Sequence, residues 1–187
     1  NKYKTFAKNI ATGMTGKQDI TSNATDETFV VKFLAAAKET TKYLKDNNIT
    51  PQRDLVIMFS TYEEVGHGAS CLPEEVEELL AVDMGCIGTD LACTEQDVSI
   101  CAKDSSGPYD YEMITRLVEL SKENKLNYAV DIYPQYGSDV SAALRGGNDI
   151  KGALIGPGVH ASHGMERTHY DGVENTMKLV VSYITKY

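Results

Sequence analysis

Apolar residues recur every three or four positions in several stretches of the chain, which is the spacing of an amphipathic helix. These stretches cover 29–44, 109–123, 140–144 and 172–183. The first is followed by Asn47-Asn48 and Pro51 and the third by Gly146-Gly147, and both combinations end helices. The pattern therefore predicts four helices, preceded by an irregular lead-in over the polar residues 1–25.

Short apolar runs of strand length lie between the predicted helices. They cover 55–59, 79–82, 98–101, 129–133 and 153–155. The run at 55–59 contains no polar residue, which is typical of a strand buried on both faces of a parallel sheet. Strands and helices thus alternate, and the chain is expected to form one α/β domain over 1–187. We expect a three-layer sandwich with a mostly parallel central sheet, and ligands beyond the carboxyl ends of its strands.

Composition narrows the possible partners. The net charge of -9 arises from 27 acidic and 18 basic residues, and no basic patch offsets it, so nucleic acid is not expected as a ligand. No apolar run is long enough to predict a membrane span, and no membrane partner is expected. A cluster of cation-binding carboxylates would contribute to the acid excess, as would simple solubility.

The four cysteines are Cys71, Cys86, Cys93 and Cys101. They show no CxxC spacing, and a domain of this size does not need disulfides to fold. Reduced thiols and a cytoplasmic location are the simpler interpretation. A zinc site built from these cysteines is the alternative, but their spacing matches no familiar zinc-binding pattern.

Two adjacent carboxylates, Glu63 and Glu64, lie where the predicted strand at 55–59 opens into a glycine-rich loop. Adjacent side chains diverge at such a point. One carboxylate could therefore bind a metal ion while its neighbour faces the attacking water, which is the division of labour that metal-assisted hydrolysis needs. The alternative is a pair of solvated surface glutamates.

Further metal-binding side chains follow later in the chain. Asp83 ends the predicted strand at 79–82, where burial of its charge without a partner would be costly, so it is expected to bind a metal or to cap a turn. Three of the four histidines, His160, His163 and His169, lie within ten residues beside Glu166. Imidazole is a good ligand for zinc or cobalt, and composition leaves open which of the three would bind.

Four motifs occur in one order along the chain: Thr61-Tyr-Glu-Glu-Val-Gly66, Ala81-Val-Asp83, Tyr136-Gly-Ser-Asp-Val140 and His163-Gly-Met-Glu166. Together they resemble the M42 family of glutamyl or deblocking aminopeptidases, from about residue 22 to the C-terminus. The resemblance implies a zinc-exopeptidase-like core that removes N-terminal residues from peptides with two divalent metal ions. Zinc or cobalt is expected, with manganese as a further option. The resemblance also implies a homo-oligomer.

The resemblance assigns roles to individual residues. Glu63 would be the general base, Glu64 a ligand of one metal ion and Asp83 a ligand of the other. Asp26, within Ser22-Asn-Ala-Thr-Asp-Glu27, takes the place of the bridging ligand. His163 takes the place of the histidine ligand.

Several points stay open at this stage. His169 is the reserve candidate for the histidine ligand, and Asp139 either matches the aspartate of the family's Gly-Thr-Asp-Ala motif or caps the helix that follows it. Family members carry a further histidine ligand in an upstream His-x-Asp segment and a small inserted β domain. No histidine precedes Asp26 here, so a chain truncated at its N-terminus is expected.

Two other functional classes are compatible with the sequence. One is a noncatalytic binding or assembly module that retains the aminopeptidase fold with an incomplete metal site. The other is an amidohydrolase of the M20 or M28 type, which shares the fold and the Glu-Glu pair but fits the C-terminal motif less well.

Overall fold

The computed structural model describes residues 42–51 and 53–186. Its strands form one mixed sheet and are β1 (Glu78–Val82), β2 (Gly85–Cys86), β3 (Val98–Asp104), β4 (Gly107–Pro108), β5 (Tyr128–Tyr133) and β6 (Lys151–Val159). Its helices are α1 (Tyr111–Glu123), α2 (Asp139–Arg145) and α3 (Tyr170–Thr185), with one 3-10 turn at Glu63–Val65. Residues 42–46 are also helical.

Strand β6 organises the sheet. It pairs in parallel with β1 and β2, and antiparallel with β3. Strand β3 in turn pairs in parallel with β5 and antiparallel with the short β4. The predicted α/β class is therefore confirmed, with a sheet that is mixed because β3 runs against its neighbour β6.

Successive residues of β3 and β6 point to opposite faces of the sheet, and each face carries its own core. One face contributes Val98, Ile100, Ala153 and Ile155 to a core shared with α1 and α3. The other contributes Cys101 and Leu154 to a core that includes Val140 of α2. Helices thus cover both faces, which gives the three layers expected from the sequence.

Most predicted elements are found with small shifts in their ends. The predicted strands at 79–82, 98–101, 129–133 and 153–155 correspond to β1, β3, β5 and β6, and the helices at 109–123, 140–144 and 172–183 correspond to α1, α2 and α3. The first predicted helix ends as expected, because Asn48 adopts the left-handed conformation with a φ of 50°. Its remaining residues, the lead-in and Asp26 lie outside the described part of the chain.

The prediction of a strand at 55–59 is wrong for this structure. These residues form no strand pairing within the described ranges, and the side chains of Leu55, Val56, Ile57 and Met58 are 39–63% exposed. An apolar run supplies side chains for a buried strand but not the neighbouring backbone that its hydrogen bonds require. Arg53, just before the run, is tied to the first residue of β1 by an ion pair of 2.9 Å with Glu78.

None of the helices in the described part of the chain is long and apolar enough to cross a lipid bilayer.

Packing in the first core gives a direct stability prediction. Leu117 of α1 is fully buried among the residues that α1 and α3 share with the sheet. We expect Leu117→Ala to lower the free energy of unfolding by about 2–5 kcal/mol, because the cavity left behind adds to the lost transfer energy. Urea unfolding followed by circular dichroism measures this. The exposed Leu144→Ala is the matched control and should change stability by less than about 1 kcal/mol.

Candidate functional site

The two adjacent glutamates lie on a tight turn between left-handed residues. Tyr62 has a φ of 62° before the 3-10 turn, and Gly66 has a φ of 76° after it. Hydrogen bonds from Gly66 N to Glu63 O (2.8 Å) and from His67 N to Tyr62 O (3.0 Å) close the loop. Glu63 is partly buried whereas Glu64 is exposed, so the two carboxylates have different surroundings.

Asp83 directly follows the last residue of β1. Its backbone N–H donates to Ile155 O at 2.9 Å and so continues the pairing of β1 with β6. Gly156 of β6 packs against the Asp83 backbone so closely that an added Cβ would overlap it. The position of Asp83 is therefore fixed by the sheet itself.

His163 lies on the loop that connects β6 to α3. The loop is closed by hydrogen bonds between the backbones of His160 and Arg167, and His163 has a φ of 62°. Its backbone N–H donates to Glu166 Oε1 at 2.9 Å, and its ring meets that of Tyr136 edge to face at 5.9 Å. His163 is thus held through its backbone by its own loop and through its ring by Tyr136, which lies between β5 and α2.

This loop brings the His163 imidazole to the glutamate turn. Its Nε2 lies 3.7 Å from Glu64 Oε2. Two ligands on one tetrahedral zinc ion, each about 2.1 Å from the metal, would be about 3.4 Å apart. The observed separation is thus close to what two ligands of one ion need.

Electrostatics place Glu63 and Asp83 in the same cluster. Partial burial, followed by the charges of Asp83, Asp139 and Glu64, raises the pKa of the Glu63 carboxyl from 4.5 to about 7. The pKa of Asp83 is also raised, because nearby atoms displace part of its hydration and because Glu64 and Asp139 repel its charge. Asp83 is nevertheless exposed to solvent. The charge of His163 lowers the pKa of both the Glu63 and the Asp83 carboxyl.

The residues present fit divalent metal ions. Carboxylates and an imidazole are ligands that zinc, cobalt and manganese accept, and the mutual repulsion of these carboxylates is what a cation would relieve. In addition, Asp139 Oδ1 is buried without a hydrogen-bond partner in the described structure. Among the described residues no three such side chains are already arranged around one point as a cage. Asp26, the predicted bridging ligand, is not among them.

Local contacts bear on two open points of the sequence. His169 caps α3, since its Nδ1 accepts from Asp171 N at 3.1 Å, and the choice of His163 as the histidine ligand stays a prediction. Asp139 is not the cap of α2, because Ser138 fills that position and accepts from Val140 N at 3.2 Å. The contact of Glu166 with the His163 backbone was not predicted from the sequence, although the three-residue spacing of the two residues could have indicated it.

The raised pKa of Glu63 predicts how the stability of the metal-free protein depends on pH. Below about pH 4.5 the carboxyl is protonated in both the folded and the unfolded chain, so it contributes no difference. As the pH rises to 7, the unfolded chain releases this proton first, and the free energy of unfolding should fall. We expect a fall of about 1–2 kcal/mol after allowance for solvent screening.

Urea unfolding in the presence of EDTA at pH 5 and pH 7.5 measures this fall. Glu63→Gln should remove most of it, because the amide does not titrate. An equal fall in the wild type and in the Gln variant would show that Glu63 is not the responsible group.

Carboxylates and a histidine gathered beside a mixed sheet define an α/β domain with a candidate metal site. Comparison with known proteins gives the particular family. The chain belongs to the M42 glutamyl aminopeptidases, whose family model matches residues 3–179.

A curated relative supports this membership. The chain is 50% identical over 128 residues to the putative aminopeptidase YhfE of Bacillus subtilis, a match that covers 68% of this chain and 37% of YhfE. The chain therefore spans little more than a third of that relative's length.

Solved structures show the same fold. The TET1 peptidase of Pyrococcus horikoshii, described as able to assemble into a tetrahedron or a large octahedral shell, matches with a TM-score of 0.69 and 20% identity. The match covers 82% of this chain and 47% of that one. A TET aminopeptidase from a marine-sediment Thaumarchaeota archaeon matches with a TM-score of 0.65 and 15% identity, over 81% and 45% of the two chains.

Proposed function

We propose that the protein containing this chain is a metal-dependent aminopeptidase that removes N-terminal residues from peptides. The observation that carries the proposal is the approach of Glu64 Oε2 to His163 Nε2 at 3.7 Å, beside Glu63 and Asp83, in a chain of the M42 family. These four residues come from three separate loops, so their meeting is a property of the fold and not of one sequence motif.

The residues divide into ligands and a base. We assign Glu64 and His163 to one divalent ion, Asp83 to the other, and Asp26 as the bridge between them. Zinc or cobalt suits this donor set best, and manganese is a further option. Bound there, the ions would supply Lewis-acid activation of the scissile carbonyl and of the attacking water.

Glu63 is assigned the proton transfers. Its carboxylate accepts the proton of the attacking water and then donates it to the amine that leaves the cleaved bond. A group that passes a proton in both directions works best with a pKa near the working pH. The partial burial of Glu63 and the surrounding carboxylates favour such a pKa.

Assembly and location are part of the same proposal. The TET1 peptidase of P. horikoshii is described as able to assemble into a tetrahedron or a large octahedral shell, which supports a homo-oligomer for the protein containing this chain. All four cysteines are free, and Cys86, Cys93 and Cys101 are buried, which agrees with the reducing conditions of the cytoplasm.

The reaction class can be tested with a pair of peptides that differ only at the N-terminus. A hexapeptide with a free N-terminus should be shortened from that end one residue at a time, while its N-acetylated form stays intact. Mass spectrometry of samples taken over time distinguishes stepwise shortening from the N-terminus from internal cleavage. Internal cleavage of the acetylated peptide, or no cleavage of either peptide by metal-loaded protein, would contradict the proposal and favour an endopeptidase or a noncatalytic binding module.

A further inference from the structure

Asp139 belongs to the acidic cluster but has no task in the proposed reaction. It is the first residue of α2, and its charge acts on both Glu63 and Asp83. Glu64 and Asp83 are assigned as ligands, Glu63 as the base, and Glu166 is engaged by the His163 backbone. Asp139 is also not needed as a helix cap, because Ser138 has that role.

The position of the Asp139 carboxylate is fixed by close packing. It lies directly against Gly68, where an added Cβ would overlap its oxygen and carbon atoms. Gly68 belongs to the loop that follows the Glu63–Val65 turn, so the carboxylate is wedged against the element that carries the proposed base. Only a residue without a side chain at 68 leaves this space open.

A buried hydrogen-bond network holds the start of α2, next to Asp139. The Ser138 hydroxyl lies 2.8 Å from Tyr109 Oη, and that phenol donates to Asp104 Oδ2 at 2.7 Å. Asp104 is 2% exposed and accepts a further hydrogen bond of 2.8 Å from Ser141 Oγ. The start of α2, and with it Asp139, is thereby anchored to the end of β3.

In this position the Asp139 carboxylate is incompletely hydrogen-bonded. Its Oδ1 is buried and has no hydrogen-bond partner in the described structure, while the residue as a whole is still partly exposed. Burial of a carboxylate oxygen without a hydrogen-bond donor costs free energy. A positively charged donor at the other oxygen would stabilise the carboxylate. The carboxylates around it cannot supply one.

We propose that Asp139 accepts a hydrogen bond from the α-amino group of the peptide substrate and so selects peptides with a free N-terminus. This assignment rests on the proposed aminopeptidase function. A peptide amino group is small, carries the required charge and reaches the reacting carbonyl through two covalent bonds. An acylated N-terminus has lost that charge and would leave the Asp139 carboxylate desolvated and unpaired, which is an effective basis for rejection.

The test measures binding of two ligands that differ only in the α-amino group. The first is the amide of whichever amino acid the metal-loaded protein releases fastest from a panel of aminoacyl-p-nitroanilides, and the second is the same amide without its amino group. Isothermal titration calorimetry gives both dissociation constants for the wild type and for Asp139→Asn. We expect the variant to bind the amino-bearing amide about 10- to 100-fold more weakly and the other amide unchanged, because a hydrogen bond to a charged group is lost.

Two further variants separate recognition from folding. Asp171→Asn removes an aspartate from the first turn of α3. Like Asp139→Asn, it removes a charge that stabilises the N-terminus of a helix, but it does not alter the candidate site. This control variant should bind both amides like the wild type. Gly68→Ala displaces the Asp139 carboxylate without altering its charge, and it should weaken the same amino-bearing amide selectively. Metal content is measured for each variant and should match that of the wild type.

Unchanged selectivity in Asp139→Asn, or an equal loss for both amides, would overturn the assignment of Asp139 while leaving the aminopeptidase function intact. A wild type that cleaves none of the p-nitroanilides would overturn the aminopeptidase function itself.

Discussion

Glu63→Gln should lower kcat for an aminoacyl-p-nitroanilide by about 1000-fold while the protein still binds its metal ions, because general acid–base catalysis contributes roughly 100- to 10,000-fold. The amide occupies the space of the carboxyl group but cannot accept the proton of the attacking water. Metal content after gel filtration, measured by atomic emission, provides the second readout.

The chain offers a matched control for this variant. Glu74-Glu75 is another adjacent pair of glutamates, and both residues are exposed. Glu75→Gln removes the same charge from the same kind of pair and should leave kcat and metal content unchanged. Full turnover by Glu63→Gln would rule out Glu63 as the base, and loss of metal from this variant would instead make Glu63 a ligand.

Replacement of Glu64 or His163 by Ala should each remove about one metal ion per chain and lower kcat/KM by at least about 1000-fold, since Lewis-acid activation is worth several kcal/mol. The distance of 3.7 Å between the two side chains is the reason that we propose one shared ion for them. The double variant should therefore lose no more metal than either single variant, which is the non-additivity expected for two residues that act as a unit.

Other variants test whether this loss is specific. Asp83→Ala should remove a different ion, so its combination with His163→Ala should lose about two ions in total. His169→Ala is the control, because His169 caps α3 and should affect stability without affecting metal content. Metal loss from His169→Ala would reverse the choice between the two histidines, and additive loss from Glu64 and His163 would place them on separate ions.

Local sequence patterns predicted the type of most elements in this fold but not how the strands pair. Strands β3 and β6 could be predicted from the apolar runs at 98–101 and 153–155, because such runs are a property of the local sequence. The antiparallel pairing of β3 with β6 depends on the path of the whole chain. For the same reason the apolar run at 55–59 indicated a strand without revealing whether a neighbouring strand would be present.

The sequence predicted which residues would form the candidate site but not the contacts that support them. Glu63, Glu64, Asp83 and His163 were selected from motifs, and the structure brings them together, whereas Asp26 lies outside the described residues. The left-handed backbone of His163 and the capping of α2 by Ser138 depend on loop geometry. Such geometry is set by tertiary contacts, so composition and spacing could not indicate it.

Metal content together with hydrolysis of aminoacyl-p-nitroanilides, measured on the protein that contains this chain, tests the central claim most directly. We predict about two divalent ions per chain and turnover that EDTA abolishes and zinc or cobalt restores. Protein that binds no metal and hydrolyses no substrate would contradict the aminopeptidase assignment and favour a noncatalytic binding module.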